Sequence, residues 1–451
     1  MKQLQRIRTF LGHYANARYL RHWKDREQFE SWQEKRILRH LQYVRAHSPF
    51  YRELWQGLAD QQWRSFPLIN KQIMMDNFDQ LNTAGIKKAE AFELAFQAER
   101  TRDFTPTVNG ITIGLSSGTS GNRGLFLVSP AEQHAWAGTA LAKLLPGSLL
   151  TSERIAFFLR ADSNLYRSVQ GKRIQFSFFD LLDPLEQHIK RLHDYQPTLL
   201  VAPASMLRML ADAAACGRLR LPQAPRKIIA VAEVLDVLDR QHIEAAFGQT
   251  VHQVYQCTEG FLASTCRYGV LHLNEDIVAI QKQYIDKNAG KFVPVVTDFS
   301  RTTQPIIRYR LDDILTEAPP CPCGSVFTAL QSIDGRCDDC FYLPDRWRHD
   351  KLIPVFPDFI ARAIIADPQV TAYHVQQPAP ERIIVRLKTA GEDWAAACAA
   401  AKAALTALFV RVDCTIPAIS IEPLQPYEPN QAYSYRKQRR IERSFTIDAP
   451  L

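Results

Sequence analysis

The sequence predicts an α/β protein with a large N-terminal domain and a small α+β C-terminal domain. Three observations carry this. Between about residues 110 and 315, short apolar runs (Ile111–Leu115, Ile155–Leu159, Leu199–Ala202, Ile228–Val231, Val251–Tyr255, Val293–Thr297) alternate with stretches of helical spacing, the pattern of a sheet with covering helices. A Pro/Cys/Gly cluster at Pro319–Gly324 interrupts that pattern, and a smaller unit begins near residue 340. The 451 residues are too many for one ordinary core.

Taken in order, residues 1 to about 100 read as mostly helical. Trp32, Ile37, Leu38, Leu41 and Val44 recur at helical spacing, and Ser48-Pro49 breaks the pattern before Phe50 and Tyr51. The C-terminal unit holds a strand candidate, Arg382–Leu387, an Ala-rich helix from Trp394 to Val410 and a further apolar segment, Ile416–Ile421. Lys402 interrupts the Ala-rich stretch, which reads as an amphipathic surface helix, so no membrane span is expected. The first residues offer no apolar signal-peptide core, and nine cysteines, an odd number, fit reduced thiols. The expected location is cytoplasmic.

The formal charge is +8. Much of the excess lies in Arg6, Arg8, Arg18, Arg21 and Lys24, and in Arg436, Lys437, Arg439, Arg440 and Arg443. No nucleic-acid-binding motif accompanies it, so the charge is read as positive potential around a polyanionic ligand.

The sharpest local motif is Ser116-Ser117-Gly118-Thr119-Ser120-Gly121-Asn122-Arg123-Gly124, set between two apolar runs. Glycines let a backbone curl with its N–H groups inward, and hydroxyls add donors, a combination that cradles phosphate. By itself the loop is equally readable as a hairpin turn. It lacks the Gly-Lys-Ser/Thr ending of a Walker loop.

The loop has companions in a fixed order: Ala232-Glu233, then Tyr255-Gln256-Cys257-Thr258-Glu259, then Arg308-Tyr309-Arg310-Leu311-Asp312-Asp313, then Gly335-Arg336-Cys337-Asp338-Asp339. This series resembles the adenylate-forming (AMP-binding) superfamily, and within it the phenylacetate–CoA ligase and deazaflavin-adenylylating synthetase branch. Ser48-Pro49-Phe50-Tyr51-Arg52 and Phe66-Pro67-Leu68-Ile69-Asn70-Lys71 also look like that branch. The resemblance implies a large AMP-binding domain over residues 1–338, with residues 1–100 as a helical lead-in, and a mobile domain over 339–451 hinged near Asp338.

It also implies roles. Ser116, Ser117, Gly118, Thr119, Ser120 and Gly121 would hold the phosphates of ATP. Glu233 would line the adenine pocket, Tyr255 would stack on adenine, and Asp313 and Arg336 would take the ribose. Thr258 would bond near the α-phosphate, and Glu259 would ligate Mg²⁺, a hard cation suited to carboxylate. Tyr433-Ser434-Tyr435-Arg436-Lys437-Gln438-Arg439-Arg440 aligns with the family's Ser-x-Gly-Lys-x-x-Arg motif, which makes Lys437 the catalytic lysine. Arg436 replaces the family glycine, and Asn122-Arg123-Gly124 stands where many members carry Pro-Lys-Gly.

The implied reaction activates a small, aromatic carboxylic acid to an acyl-adenylate and passes it to CoA or to the phosphopantetheine of an acyl carrier protein. A cofactor-adenylylating activity and a non-catalytic nucleotide binder are the alternatives. Trp136, Pro203, Ala204 and Ser205 are expected to wall the acid pocket. No feature of the sequence indicates a tunnel for a long fatty acid, and a homodimer is expected by analogy only.

Cys266, His272, Cys321 and Cys323 supply three thiolates and an imidazole suited to a closed tetrahedral Zn²⁺ site. The resembled branch has a similar arrangement. Cys321, Cys323, Cys337 and Cys340 form a competing set, and ordinary buried cysteines remain the third reading.

Overall fold

A computed structural model of the chain describes residues 2–116, 123–159, 171–348, 350–391, 393–425 and 439–447. Its helical start matches the expectation. The helix Arg26–His47 is capped by Asp25, whose side chain accepts a hydrogen bond from the Gln28 N–H. Its buried residues, including Phe29, Gln33, Ile37, Leu41 and Val44, form one stripe. Ser48 then caps the short helix Pro49–Leu54, with proline at its first turn.

The core is a twelve-stranded sheet. Strands Ile174–Asp180, Glu153–Leu159, Leu199–Ala202, Lys227–Ala230 and Val251–Cys257 lie side by side in parallel. The sheet continues antiparallel through Gly260–Thr265, Leu271–Leu273, Ala329–Arg336, Asp313–Glu317, Lys291–Asp298 and Val278–Asp286. Strand alternation decides what the parallel part faces. Ala156, Phe158, Leu200, Ala202, Ile228 and Ala230 pack with helix residues such as Leu192, Leu207 and Ile243. The intervening residues Ile155, Phe157, Leu199, Val201, Ile229 and Val231 face a cavity.

The helix Pro130–Leu144 covers that cavity. It begins with a capping box in which the Ser129 side chain accepts from the Glu132 N–H and the Glu132 side chain accepts from the Ser129 N–H. Glu132 Oε1 also accepts from the Thr302 and Thr303 N–H groups at 2.6 and 2.8 Å, which pins the helix to the antiparallel part. Burial opposes its charge, but the Thr303 bonds outweigh this and hold its pKa down.

The smaller C-terminal unit is a four-stranded sheet, ordered Ala418–Pro423, Arg382–Thr389, Val370–Ala379, Ile441–Arg443. The helix Trp394–Arg411 is long and apolar enough by composition to cross a membrane. In the fold it buries Ala397, Ala401, Leu405, Leu408 and Phe409, of which Ala401, Leu405, Leu408 and Phe409 join the small domain's core cluster.

Two buried polar features make stability predictions. Lys291, on the large sheet, donates to Asp334 and, at 2.9 Å, to Asp358 on the small-domain helix Pro357–Ile364. Lys291 is 2% exposed. Removing the cation strands buried carboxylates, so Lys291→Met should cost about 3 kcal/mol in urea unfolding. His188 is fully buried, packed edge-on against Phe158, and neither ring nitrogen has a partner among the described residues. Burial, helped by Arg191, pushes its pKa down to about 4. The unfolded imidazole binds a proton more readily than the folded one, so this site's stability is complete above the ordinary imidazole pKa and is lost on acidification towards the folded value. The loss reaches about 2 kcal/mol at pH 5. His188→Phe should flatten that limb of a stability–pH profile.

Candidate active site and metal centre

The mouth of the glycine-rich loop is a hairpin. Strand Ile111–Leu115 pairs with Leu125–Val128, the Ser116 N–H donates to Gly124 O at 2.8 Å, and the Gly124 N–H donates to Ser116 Oγ at 2.8 Å. Ser117, Gly118, Thr119, Ser120 and Gly121 lie outside the described residues. The Arg123 guanidinium forks onto Glu99, a residue that lines the cavity, at 2.5 and 2.8 Å. A Cβ on Gly124 would sit 3.1 Å from Lys71 Cε, so glycine there lets the Lys71 side chain pass beside Ser116.

Lys71 reaches this place through a backbone link that local sequence does not show. The Ile69 N–H donates to Arg308 O at 3.1 Å, and the Arg310 N–H donates to Ile69 O at 2.9 Å. Lys71 therefore lines the cavity together with Ser116 and Glu259. Burial lowers its pKa, although Glu259 partly restores it.

Strand Val251–Cys257 ends in a tight turn into Gly260–Thr265, and Thr258 and Glu259 occupy that turn. Thr258 Oγ1 donates to Glu259 Oε2 at 2.9 Å, and Arg301 Nη1 donates to Thr258 O at 2.5 Å. Tyr309 also hydrogen-bonds Glu259. The Tyr255 hydroxyl donates to Asp313 Oδ2. Burial, with Asp313 next, raises the Tyr255 pKa far enough to keep it a phenol and therefore a donor. Asp313 pairs across the ladder with Arg336, whose Nε lies 3.9 Å from Asp313 Oδ1. Burial opposes the Arg336 charge, but Asp313, Asp338 and Asp312 outweigh it and raise its pKa.

Glu233 follows Ala232, a residue with φ of 66°. Its carboxylate accepts from the Ser205 N–H at 3.0 Å. Pro203 and Trp136 line the cavity. Ser205 does not: it is not among the lining residues and instead anchors Glu233 from behind, because its N–H sits at the start of the helix Ala204–Ala215. Ala204 is buried and also contributes no wall.

The small domain closes the cavity with Asp339, Asp358, Arg362, Tyr373, Arg439 and Arg440. Arg440 Nη2 donates to Asp239 Oδ1 at 2.5 Å, the Tyr373 hydroxyl donates to Asp236 Oδ2 at 2.6 Å, and Arg439 Nη1 donates to Asp339 Oδ1 at 2.9 Å. Lys437, expected at this edge, lies outside the described residues.

No protein-family model matches the chain. A segment of 131 residues, 29% of the chain, is 30% identical to Protein CapK of Staphylococcus aureus and spans 28% of that protein. The fold is similar to 2-hydroxyisobutyryl-CoA ligase in its postadenylation state with 2-HIB-AMP: TM-score 0.65, 17% identity, 94% of each chain covered. The chain has the adenylate-forming ligase fold. A GH3.15 acyl acid amido synthetase shares it at TM-score 0.56, with 13% identity over 88% of this chain and 86% of that one. Agreement with the same CoA ligase in its thioesterification state is lower, at TM-score 0.52 and 19% identity over 92% and 89% of the two chains.

A second cluster lies on the antiparallel part of the sheet. The donor atoms of Cys266, His272, Cys321 and Cys323 all fall within 4.8 Å of one another. Cys266 Sγ and Cys321 Sγ are 3.8 Å apart, and Cys323 Sγ is 3.4 Å from His272 Nε2. A tetrahedral Zn–S length of about 2.3 Å separates two ligand sulfurs by about 3.8 Å. His272 Nδ1 lies 3.3 Å from the Phe327 carbonyl, a contact that presents Nε2 to the cluster. The competing set is not assembled: Cys337 and Cys340 are buried with Val293, Ile314 and Tyr342.

Proposed function

We propose that the protein uses ATP and Mg²⁺ to convert an aromatic carboxylic acid to an acyl-adenylate, and then transfers the acyl group to CoA or to a carrier-protein phosphopantetheine. The observation that carries this reading is the convergence of Ser116, Thr258, Glu259, Asp313, Arg336 and the small-domain edge on one cavity.

In this reading the loop from Ser116 to Gly121 binds the phosphates, with Lys71 as an added cation beside it. Glu259 is the Mg²⁺ ligand, oriented by Thr258 and Tyr309. Thr258 bonds near the α-phosphate. Asp313, held by Tyr255, accepts from the ribose hydroxyls, and Arg336 faces the ribose and phosphate. Glu233 and Tyr255 flank the adenine, while Trp136 and Pro203 wall the acid.

Lys437 bridges acyl and phosphate oxygens while charge spreads over both sides of the α-phosphorus. A hinge near Asp338, at the boundary between 1–338 and 339–451, takes Lys437 away before thioester formation. The cluster of Cys266, His272, Cys321 and Cys323 fits a structural Zn²⁺, which would tie the Cys321–Cys323 loop to the sheet.

The test is acid-dependent pyrophosphate release with ATP, Mg²⁺ and hydroxylamine over benzoic, phenylacetic, cinnamic and aliphatic acids. Release with hydroxamate formation is expected. ATP binding without release for any acid would point instead to cofactor adenylylation or to a non-catalytic binder.

A further inference from the structure

The helix Lys2–Ala15 presents two faces. Phe10 and Tyr14 on one of them pack into the core of the large domain. That contact is close: a Cβ on Gly138 of the helix Pro130–Leu144 would sit 2.4 Å from Phe10 O and 3.0 Å from Tyr14 N, so glycine there admits the helix. Leu4, Ile7 and Leu11 share another face by their helical spacing. They are exposed, Leu4 by 75% and the other two by 49% each. From Leu4 to Leu11 the stripe is about 10 Å long. Exposed Tyr19 and Leu20 follow in the next turn, Asn16–Leu20. Arg18 donates to Ala142 O and Gly147 O at 2.9 and 3.2 Å, and so fixes beside this turn the loop that carries exposed Leu150.

The charge around this surface has one sign. Residues 1–24 include Lys2, Arg6, Arg8, Arg18, Arg21 and Lys24, and neither Asp nor Glu. Arg6 and Arg8 stand either side of Ile7 in the chain, are exposed, and make no ion pair among the described residues. Arg173, also exposed, donates to Leu150 O at 3.1 Å, next to exposed Lys172. Arg6, Arg8, Lys172 and Arg173 do not line the cavity, so the nucleotide site does not account for them. A second copy of the chain fits this surface badly. A two-fold contact lays a patch on itself, which here sets cation against cation with no acid between them. A nucleic acid would meet the cations but would find aliphatic side chains in place of a stacking platform. An anionic bilayer answers both properties, since it takes apolar side chains into the headgroup boundary and cations at the level of its phosphates.

We propose that the helix Lys2–Ala15 docks the protein on an anionic membrane surface, with Leu4, Ile7 and Leu11 in the headgroup boundary and Arg6 and Arg8 against lipid phosphates. The helix lies in the plane of the surface and does not span it. Docking needs no unfolding, because Phe10 and Tyr14 stay packed on the large domain while the exposed face meets lipid. The long arginine side chains reach the phosphates from a helix whose apolar residues sit deeper. This contact is independent of the proposed acid activation.

The experiment is flotation of the full chain with vesicles of phosphatidylcholine alone, or of phosphatidylcholine with about a third phosphatidylglycerol. At low salt, binding to the anionic vesicles alone is expected. It should fall at least tenfold at about 0.5 M salt, where the Debye length is about 4 Å. Arg6→Gln with Arg8→Gln should weaken partition at least tenfold, since each cation at such a surface contributes about fivefold. Leu4→Ser, Ile7→Ser and Leu11→Ser together should also weaken it at least tenfold, an effect that a purely electrostatic contact would not show. Both variants should keep the parent melting temperature and the parent level of acid-dependent pyrophosphate release, because none of the five residues lines the cavity. No partition onto anionic vesicles, equal partition onto both kinds, or partition untouched by either variant would overturn the proposal. Loss in the arginine variant alone would overturn it too, reducing the contact to surface charge. Self-association or RNA retention in place of vesicle binding would overturn it in favour of a second copy or a nucleic acid.

Discussion

Lys437→Ala should lower acid-dependent pyrophosphate release by about 10²–10³-fold, the usual cost of deleting one group that stabilises charge only in the transition state. ATP binding, measured by calorimetry, should change little. The described residues that follow Lys437 are held to both domains. The strand Ile441–Arg443 runs parallel to Val370–Ala379 and fixes the chain that leads out of the 426–438 segment. Just before it, Arg440 is fastened to Asp239 of the large domain at 2.5 Å, and Arg208 joins the same carboxylate at 2.7 Å. Arg208 also donates to Thr371 O at 3.0 Å. Burial opposes the Arg440 charge, but Asp239 and Asp236 outweigh it and raise its pKa.

These contacts tie the small domain to the large one in the arrangement described. Arg440→Ala should therefore reduce acyl-adenylate formation about tenfold, the scale of a partly exposed charge pair. If the small domain moves about the proposed hinge between half-reactions, thioester formation from an added synthetic acyl-adenylate should be spared or faster. Equal loss in both half-reactions would show that Arg440 supports only the fold.

Removing metal from the Cys266, His272, Cys321 and Cys323 site should lower the melting temperature by about 10 °C. Ligand binding to the native state alone stabilises by about 4 kcal/mol when free metal is a thousand times its dissociation constant, and each kcal/mol moves the midpoint of a domain of this size by about 2–4 °C. Cys321→Ser and Cys266→Ser should reproduce the loss, and elemental analysis should find close to one zinc per chain in the native protein and little in either variant. Cys337→Ser should keep the metal, because Cys337 lies in a separate apolar cluster. A zinc content unchanged by Cys266→Ser would sink the assignment.

Much of the fold was legible before any coordinates. Strand candidates such as Ile155–Leu159, Leu199–Ala202 and Val251–Tyr255 appear as Glu153–Leu159, Leu199–Ala202 and Val251–Cys257, because buried parallel strands read as short apolar runs whatever they pair with. The Ala-rich segment forms the helix Trp394–Arg411. The order of the motifs around Thr258, Glu259, Asp313 and Arg336 was also local information, since each motif is a short turn or strand end.

Other features had no local signal. Lys71 enters the cavity only because Ile69 bridges to Tyr309 across the chain. Arg123 meets Glu99, a pairing of residues that the helix Lys88–Thr101 and the hairpin bring together. Ser205 was expected in a wall and serves as a backbone anchor for Glu233.

The sequence by itself determined the element types, the α/β class and the set of chemically capable side chains, because periodicity and turn chemistry act over a few residues. Only the tertiary structure decided which cysteines meet, which cation stands beside the loop and which residues share the cavity. Those depend on strand order and on helix placement, where residues hundreds of positions apart become neighbours through the burial of one shared core.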